Sequence, residues 1–260
     1  MNDRAASFVY PLITAVFLGL IWYFATEIAD VPNYILPSPA QVGTALYRGY
    51  VEGQLWIHLA FTLRALVIGY LVGTCVAVTL GVLVAEFSAF ERAIFPYIVG
   101  LQSMPKIALA PLIIVWFGFG IESKIVLVAL ICFFPLFVNT VMGIRSVDPD
   151  LVDLLRVFGR NRLDILREVK LPHAATSIMA GMQIGVVLGL IGAVAAEFTA
   201  SSRGLGFVIQ NAASALELGT MFAALLSLAF LGIIGTQLIR FLQRRLVFWD
   251  RRIVENVTSA

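Results

Sequence analysis

Lys106 stands where a positive charge is expensive. The run FERAIFPYIVGLQSMPKIALAPLIIVWFG is apolar almost throughout, yet it brings Gln102, Ser103, Met104 and Lys106 together, with Pro96, Pro105 and Pro111 around them. An ionisable side chain at membrane depth costs at least ~2.5 kcal/mol on insertion scales, so a chain that keeps one has a use or a partner for it. Prolines at this density break or kink a membrane helix. A broken helix is tolerated in lipid only where protein or a cavity satisfies the freed backbone. Two readings of Lys106 follow. With Gln102, Ser103 and Met104 it lines a path or gate for a solute, or it is structural, snorkelling or pairing with Glu197 in a later apolar run. Glu197, in AVAAEFTASSRGLG, is correspondingly a structural partner or part of an outer gate. Arg64, about two turns into its run, snorkels outward.

Other reactive types are scattered. His58 and His173 stand alone, so no metal centre is expected, and Cys75 and Cys132 lack a C-x-x-C spacing and read as buried, inert thiols. The chain has no G-x-x-x-x-G-K-[ST] stretch with which to bind ATP itself. Nor do His, Asp and Ser gather as an enzyme's would. Catalysis, a bound cofactor and nucleic acid are not expected.

A second constellation is SVDPDLVDLLRVFGRNRLDILREVKLP, residues 146–172, the most charged stretch of the chain. Asp148 before Pro149 is an N-cap with proline at the first helical position. Asp150 and Asp153 put negative charge in the first turn, where the helix dipole favours it. Leu151, Leu154, Leu155 and Phe158 follow helical spacing and give one apolar stripe. Gly159 stops this helix in a left-handed conformation. Asn161 caps a second helix, with Asp164 three residues on. Leu163, Leu166 and Val169 with Lys170 continue the stripe, and Pro172 ends it. The product is a pair of short helices set at a fixed corner, apolar on one side and basic on the other. Lying on anionic lipid needs no fixed corner; docking into a groove on another protein does.

These groups must be carried by membrane helices. The chain is 60% hydrophobic and only 13% charged, with a mean hydropathy of +0.94, far from the roughly one-quarter charged composition of soluble domains. Runs long enough to cross a bilayer core, ~20 apolar residues each, fall near 8–26, 58–85, 93–117, 122–144, 173–197 and 218–242. The spacing predicts an all-α, polytopic membrane protein with about six spans and no second folded domain. Between the first two spans, Ser38 caps a short amphipathic helix that begins at Pro39. The first apolar run follows Arg4 without a small-x-small cleavage site, so it reads as an uncleaved span. Glycines at positions 69, 73, 81, 181, 185 and 189 read as close helix packing, and Gly204 and Gly206 as a tight outer turn.

With the N-terminus inside, one side receives thirteen basic residues: Arg4, Arg92, Arg145, Arg156, Arg160, Arg162, Arg167, Lys170, Arg240, Arg244, Arg245, Arg251 and Arg252. The other receives Arg48, Lys124 and Arg203. The positive-inside rule therefore puts both termini and the 146–172 loop in the cytoplasm.

The 146–172 stretch resembles the coupling motif of ATP-binding-cassette importer permeases, written E-A-A, three residues, G, nine residues, I-x-L-P. Counted from Gly159, the E-A-A positions are Asp153, Leu154 and Leu155, and the I-x-L-P positions are Val169, Lys170, Leu171 and Pro172. Two leucines stand where the family usually has alanines, which makes the surface bulkier. LQSMPKIALAPLIIVWFGFGIESK, FFPLFVNTVMGIRSVDPDL and AEFTASSRGLGFVIQNA are similar to the nitrate/sulfonate/taurine permeases of that group. The resemblance implies a type I importer permease fold, one domain over residues 1–260, in a bacterial inner membrane. It also implies a second permease subunit, forming a homodimer, a cytoplasmic ATPase dimer, and an extracytoplasmic substrate-binding protein. Asp153, Leu154, Leu155, Arg156, Phe158, Gly159, Arg160, Leu171 and Pro172 would meet the ATPase. The solute would be a small anion or small organic molecule: nitrate, a sulfonate or taurine, an aromatic carboxylate or a pyrimidine precursor. The alternative, an ion-coupled secondary transporter, should show mid-membrane carboxylates, and the spans hold no clear one.

Overall fold

The computed structural model describes residues 3–28, 31–32, 35–199 and 201–249. Arg251 and Arg252 and the side chain of Arg4, counted above among the inside charges, lie outside the described residues. The described chain is helical: α1 (Asp3–Glu27), α2 (Pro39–Val51), α3 (Gln54–Glu86), α4 (Ser88–Gln102), α5 (Ala110–Phe117), α6 (Ile121–Arg145), α7 (Pro149–Val157), α8 (Arg162–Ile165), α9 (Leu171–Thr199), α10 (Leu205–Ser214) and α11 (Leu218–Leu246).

Stretches within α3, α6 and α11 are long and apolar enough to cross a membrane, as is the continuous run Arg162–Thr199. The third expected span is broken: α4 and the segment Lys106–Phe117 meet at an angle of 93°. A 3-10 turn, Lys106–Leu109, leads into α5. Pro96 sits inside α4 and Pro105 precedes the 3-10 turn, so the break follows from the missing donors and fixed φ of proline. The first expected span is α1, whose apolar stretch among the described side chains runs Leu12–Glu27, shorter than the others. Such a set of helices makes the chain a multi-pass membrane protein.

The described chain packs as two compact units. The first holds α1, α2, the start of α3, α10 and the first half of α11. In it, Trp22 Nε1 donates to the Pro37 carbonyl (2.9 Å) and Tyr50 donates to Ser227 Oγ (2.6 Å). Ser38 and Gln41 form a capping box at α2, with Pro39 as its first residue. Gly204, at φ +111°, is the N-cap of α10, and its N–H donates to His58 Nδ1 (3.1 Å). Gly206 lies inside α10 instead of in the turn.

The second unit holds the rest of α3, α4 to α9 and the end of α11. Its core includes Leu66, Tyr70, Val128, Cys132, Leu136, Phe137 and Val186. α6 runs between the glycine faces of two neighbours. A Cβ at Gly73 of α3 would lie 2.7 Å from the Ala129 carbonyl oxygen, and one at Gly181 of α9 would lie 2.9 Å from Asn139 Cβ. Real Cβ atoms do not come this close. Small residues are what allow membrane helices to approach by van der Waals packing, where no hydrophobic force separates protein from lipid.

Candidate functional site

The loop that follows α6 is built from local chemistry. Asp148 accepts the Asp150 N–H (2.9 Å), starting α7 with Pro149 in its first turn. Gly159 has φ +78°. The Gly159 N–H reaches the Arg156 carbonyl (2.9 Å) and the Arg160 N–H reaches back to Leu155 (3.1 Å), the paired bonds of a Schellman stop. Asn161 then accepts the Asp164 N–H (2.9 Å), and Asp164 accepts the Asn161 N–H (3.4 Å). Two helices are thereby capped on either side of one left-handed residue.

Val147, Val152 and Ile165, with Leu155 and Val169 against them, form a small core that holds the corner. The single apolar stripe expected from spacing is split. Leu155 turns inward, while Leu151, Leu154, Val157, Phe158 and Leu163 are exposed, Val157 at 84% and Phe158 at 75%. Around them Arg156 pairs with Asp153 (2.8 Å) and Arg160 with Glu168 (3.4 Å), all four exposed. Such pairs add ~0–1 kcal/mol each, so the corner is held by caps and core. The second expected stop is corrected. Pro172 lies inside α9, because Leu166–Lys170 forms a π turn in which the Leu171 N–H reaches Leu166. The wider ladder ends just where proline lacks a donor, so loop and span form one unbroken rod.

Glu86, the last residue of α3, went unnoticed in the sequence. Its side chain is 2% exposed and lies 2.6 Å from Lys170 Nζ and 3.2 Å from Arg162 Nε. Beside it the Arg162 guanidinium lies 4.5 Å from the centre of the Phe87 ring. Arg145 at the end of α6 pairs with Glu91 (2.8 Å) and donates to the Val84 carbonyl (3.3 Å). The only signal in the sequence was an acid at the end of an apolar run.

A cavity of about 470 Å³ opens at the break after α4, lined by Gln102, Met104, Lys106, Phe134 and Asn139 among others. Lys106 Nζ donates to the Gln102 carbonyl (3.1 Å) and sits 4.4 Å from the centre of the Phe134 ring. Among the described residues no carboxylate forms an ion pair with it. Asn139, overlooked in the sequence, donates to the Pro135 carbonyl (2.8 Å). Ser103 bonds back to Val99 and is not among the lining residues.

Glu197 is elsewhere. It is fully buried and accepts from Thr62 Oγ1 at 2.7 Å. Lys124, also fully buried, lies within its electrostatic reach, and its Nζ donates to the Phe119 carbonyl at 2.8 Å. The Lys106–Glu197 pair is therefore not formed, and Lys124 is a core group where a loop cation was expected. A buried carboxylate needs a compensating charge and hydrogen bonds, and Lys124, one turn into α6, provides the charge. Arg64 is exposed on α3.

A protein-family model described as "Binding-protein-dependent transport system inner membrane component" matches residues 77–248. The chain is 36% identical to a riboflavin transport system permease protein of Chloroflexus aurantiacus over 92% of its length and 89% of that protein's. It is 30% identical to a formylaminopyrimidine transport permease protein of Halalkalibacterium halodurans, covering 96% of this chain and 99% of that one. With a taurine transport system permease protein of Escherichia coli the identity is 28%, over 97% of each.

Proposed function

We propose that this chain, which belongs to the family of binding-protein-dependent transport system inner membrane components, is a permease driven through its 146–172 loop by a separate cytoplasmic ATPase. Membership makes it the permease subunit of an importer for small solutes. The reading of the loop rests on one observation. A capped corner presents Leu151, Leu154, Val157, Phe158 and Leu163 outward, and continues without interruption through the run Arg162–Thr199. Exposed apolar side chains rimmed by charge suit a protein groove, and an unbroken helix carries displacement into the bilayer.

The rest of the assembly follows from this reading. The chain acts as one permease domain over residues 1–260. Two copies pair around a path, each loop docks on one subunit of an ATPase dimer, and a binding protein delivers solute on the other side. The termini and loop lie in the cytoplasm, where the excess of Lys and Arg puts them. The Lys106 cavity faces the path. An ammonium without a carboxylate, two amides (Gln102 and Asn139) and an aromatic wall suit a small anion or a small polar organic molecule.

The test is uptake into vesicles holding the chain, reconstituted with a cassette ATPase and a binding protein from the same organism. Riboflavin, formylaminopyrimidine and taurine, in labelled form, are the first probes. Uptake of one of them only when ATP is supplied is expected. Uptake driven by an ion gradient without the ATPase would instead make the chain a secondary transporter.

A further inference from the structure

We propose that Glu86 is a positioning residue that ties the coupling loop to α3 and, through the adjoining elbow, to the broken span that holds Lys106. This rests on the loop meeting the ATPase as proposed above. Glu86 is in a poor place for an acid. It ends α3, where the helix dipole already presents negative charge, and it is almost wholly out of water, where a lone carboxylate is costly. Its two oxygens are each held by a different cation, Oε1 by Lys170 and Oε2 by Arg162.

Those cations stand at opposite ends of the second loop helix. Arg162 is the first residue of α8 and Lys170 the last of the π turn. One carboxylate therefore holds that helix at two points, and a displacement of the loop moves the end of α3 instead of swinging past it. The elbow between α3 and α4 is also fixed from α6 by Arg145, through Glu91 and the Val84 carbonyl. α4 runs from this elbow to the break and its cavity. The loop is thus joined covalently to α6 and α9, and its ion pairs to the end of α3 run through Glu86, with the Arg162–Phe87 contact beside them. Removing that charge should leave the ATPase turning while the cavity stops following it.

The test uses the permease–ATPase complex and needs no solute. Met104→Cys reports cavity access through its rate of labelling by a maleimide, in a chain carrying Cys75→Ala because Cys75 is exposed, against the buried thiol expected for it, while Cys132 is buried. ATP with vanadate should change that rate by about 5-fold or more, the lower end of ordinary site-to-site coupling. With Glu86→Gln added, basal ATP hydrolysis should persist and the change should fall below about 2-fold. Lys170→Met, which leaves the Arg162 contact, should lose part of the change, and the double variant should be no worse than Glu86→Gln, because both contacts need that one charge. Undiminished nucleotide dependence in Glu86→Gln, or losses that multiply in the double variant, overturns the proposal. If Glu86→Gln does not assemble, Lys170→Met decides, and failure of both to assemble makes the carboxylate a folding element and also overturns it. An unaltered Glu86 chain that binds the ATPase but shows no nucleotide dependence defeats the loop reading itself.

Discussion

Replacing Gly159 separates the corner from everything else the loop contains. Its φ of +78° is one that side-chain-bearing residues adopt at a cost, ~1–2 kcal/mol for an L-residue and more for a β-branched one. An added Cβ would meet nothing within 4 Å, so the penalty is conformational alone and should rank with residue type. Asn, which tolerates the left-handed region, should be nearly neutral, Ala intermediate and Val worst. What opposes the penalty is small: two Schellman bonds, an Asn161 cap of ~1 kcal/mol and a core of five side chains. A loss of ~1–2 kcal/mol multiplies the fraction of broken corners by about 5–30. The assay is the amount of ATPase that co-purifies with each variant, normalised to permease in the membrane. Insertion depends on the spans and should not change. Association falling in the order Asn, Ala, Val is expected. A Val variant that retains the full amount of ATPase would show that the corner is not what the partner reads.

Phe158→Asp removes an outward apolar group that supports nothing inside, so membrane level and thermal stability should hold while ATPase co-purification drops; a parallel fall in stability would contradict this. Lys106→Ala should assemble normally with the ATPase and lose at least about 10-fold in ATP-driven uptake of whichever probe is carried, equivalent to ~1.4 kcal/mol of lost interaction. Unchanged uptake would remove Lys106 from the path, and loss of assembly would make it structural. Glu197→Gln takes the carboxylate away from a buried Lys124, a change worth ~3–5 kcal/mol in comparable pairs. Thermal unfolding of the detergent-solubilised chain should start at a markedly lower temperature, with partial recovery when Lys124→Met is added. An unchanged transition would mean that the pair carries no stability.

What could be read in advance was whatever chemistry acts over a few residues. The caps at Ser38, Asp148 and Asn161 and the stop at Gly159 depend on neighbours two to five positions away, and each is where the spacing put it. The break near Pro105 was legible because proline's missing donor is a local fact. Leu155 was misplaced because helical spacing ranks apolar positions but does not say which apolar face a partner covers. Pro172 was misread as a stop because one widened turn is enough to absorb it. Glu86 with Lys170, 84 residues away, and Glu197 with Thr62, 135 residues away, were out of reach. Pairing across spans is decided by how helices lie side by side, which no local pattern records.

The π turn at Leu166–Lys170 has a consequence for length. An α-helix advances about 100° per residue, and a π turn inserts one residue without adding a full step of the ladder. It therefore takes up one extra residue without turning the loop against α9, like a shim that leaves a gear indexed on its shaft. A deletion in the ordinary helix beyond it, between Pro172 and Gly181, has no such relief. It would rotate Gly181, Gly185 and Gly189 away from α6 by about 100°, pressing bulky side chains against a seam that accepts only hydrogen. The distance between Lys170 and the first glycine of α9 is thus fixed to the residue.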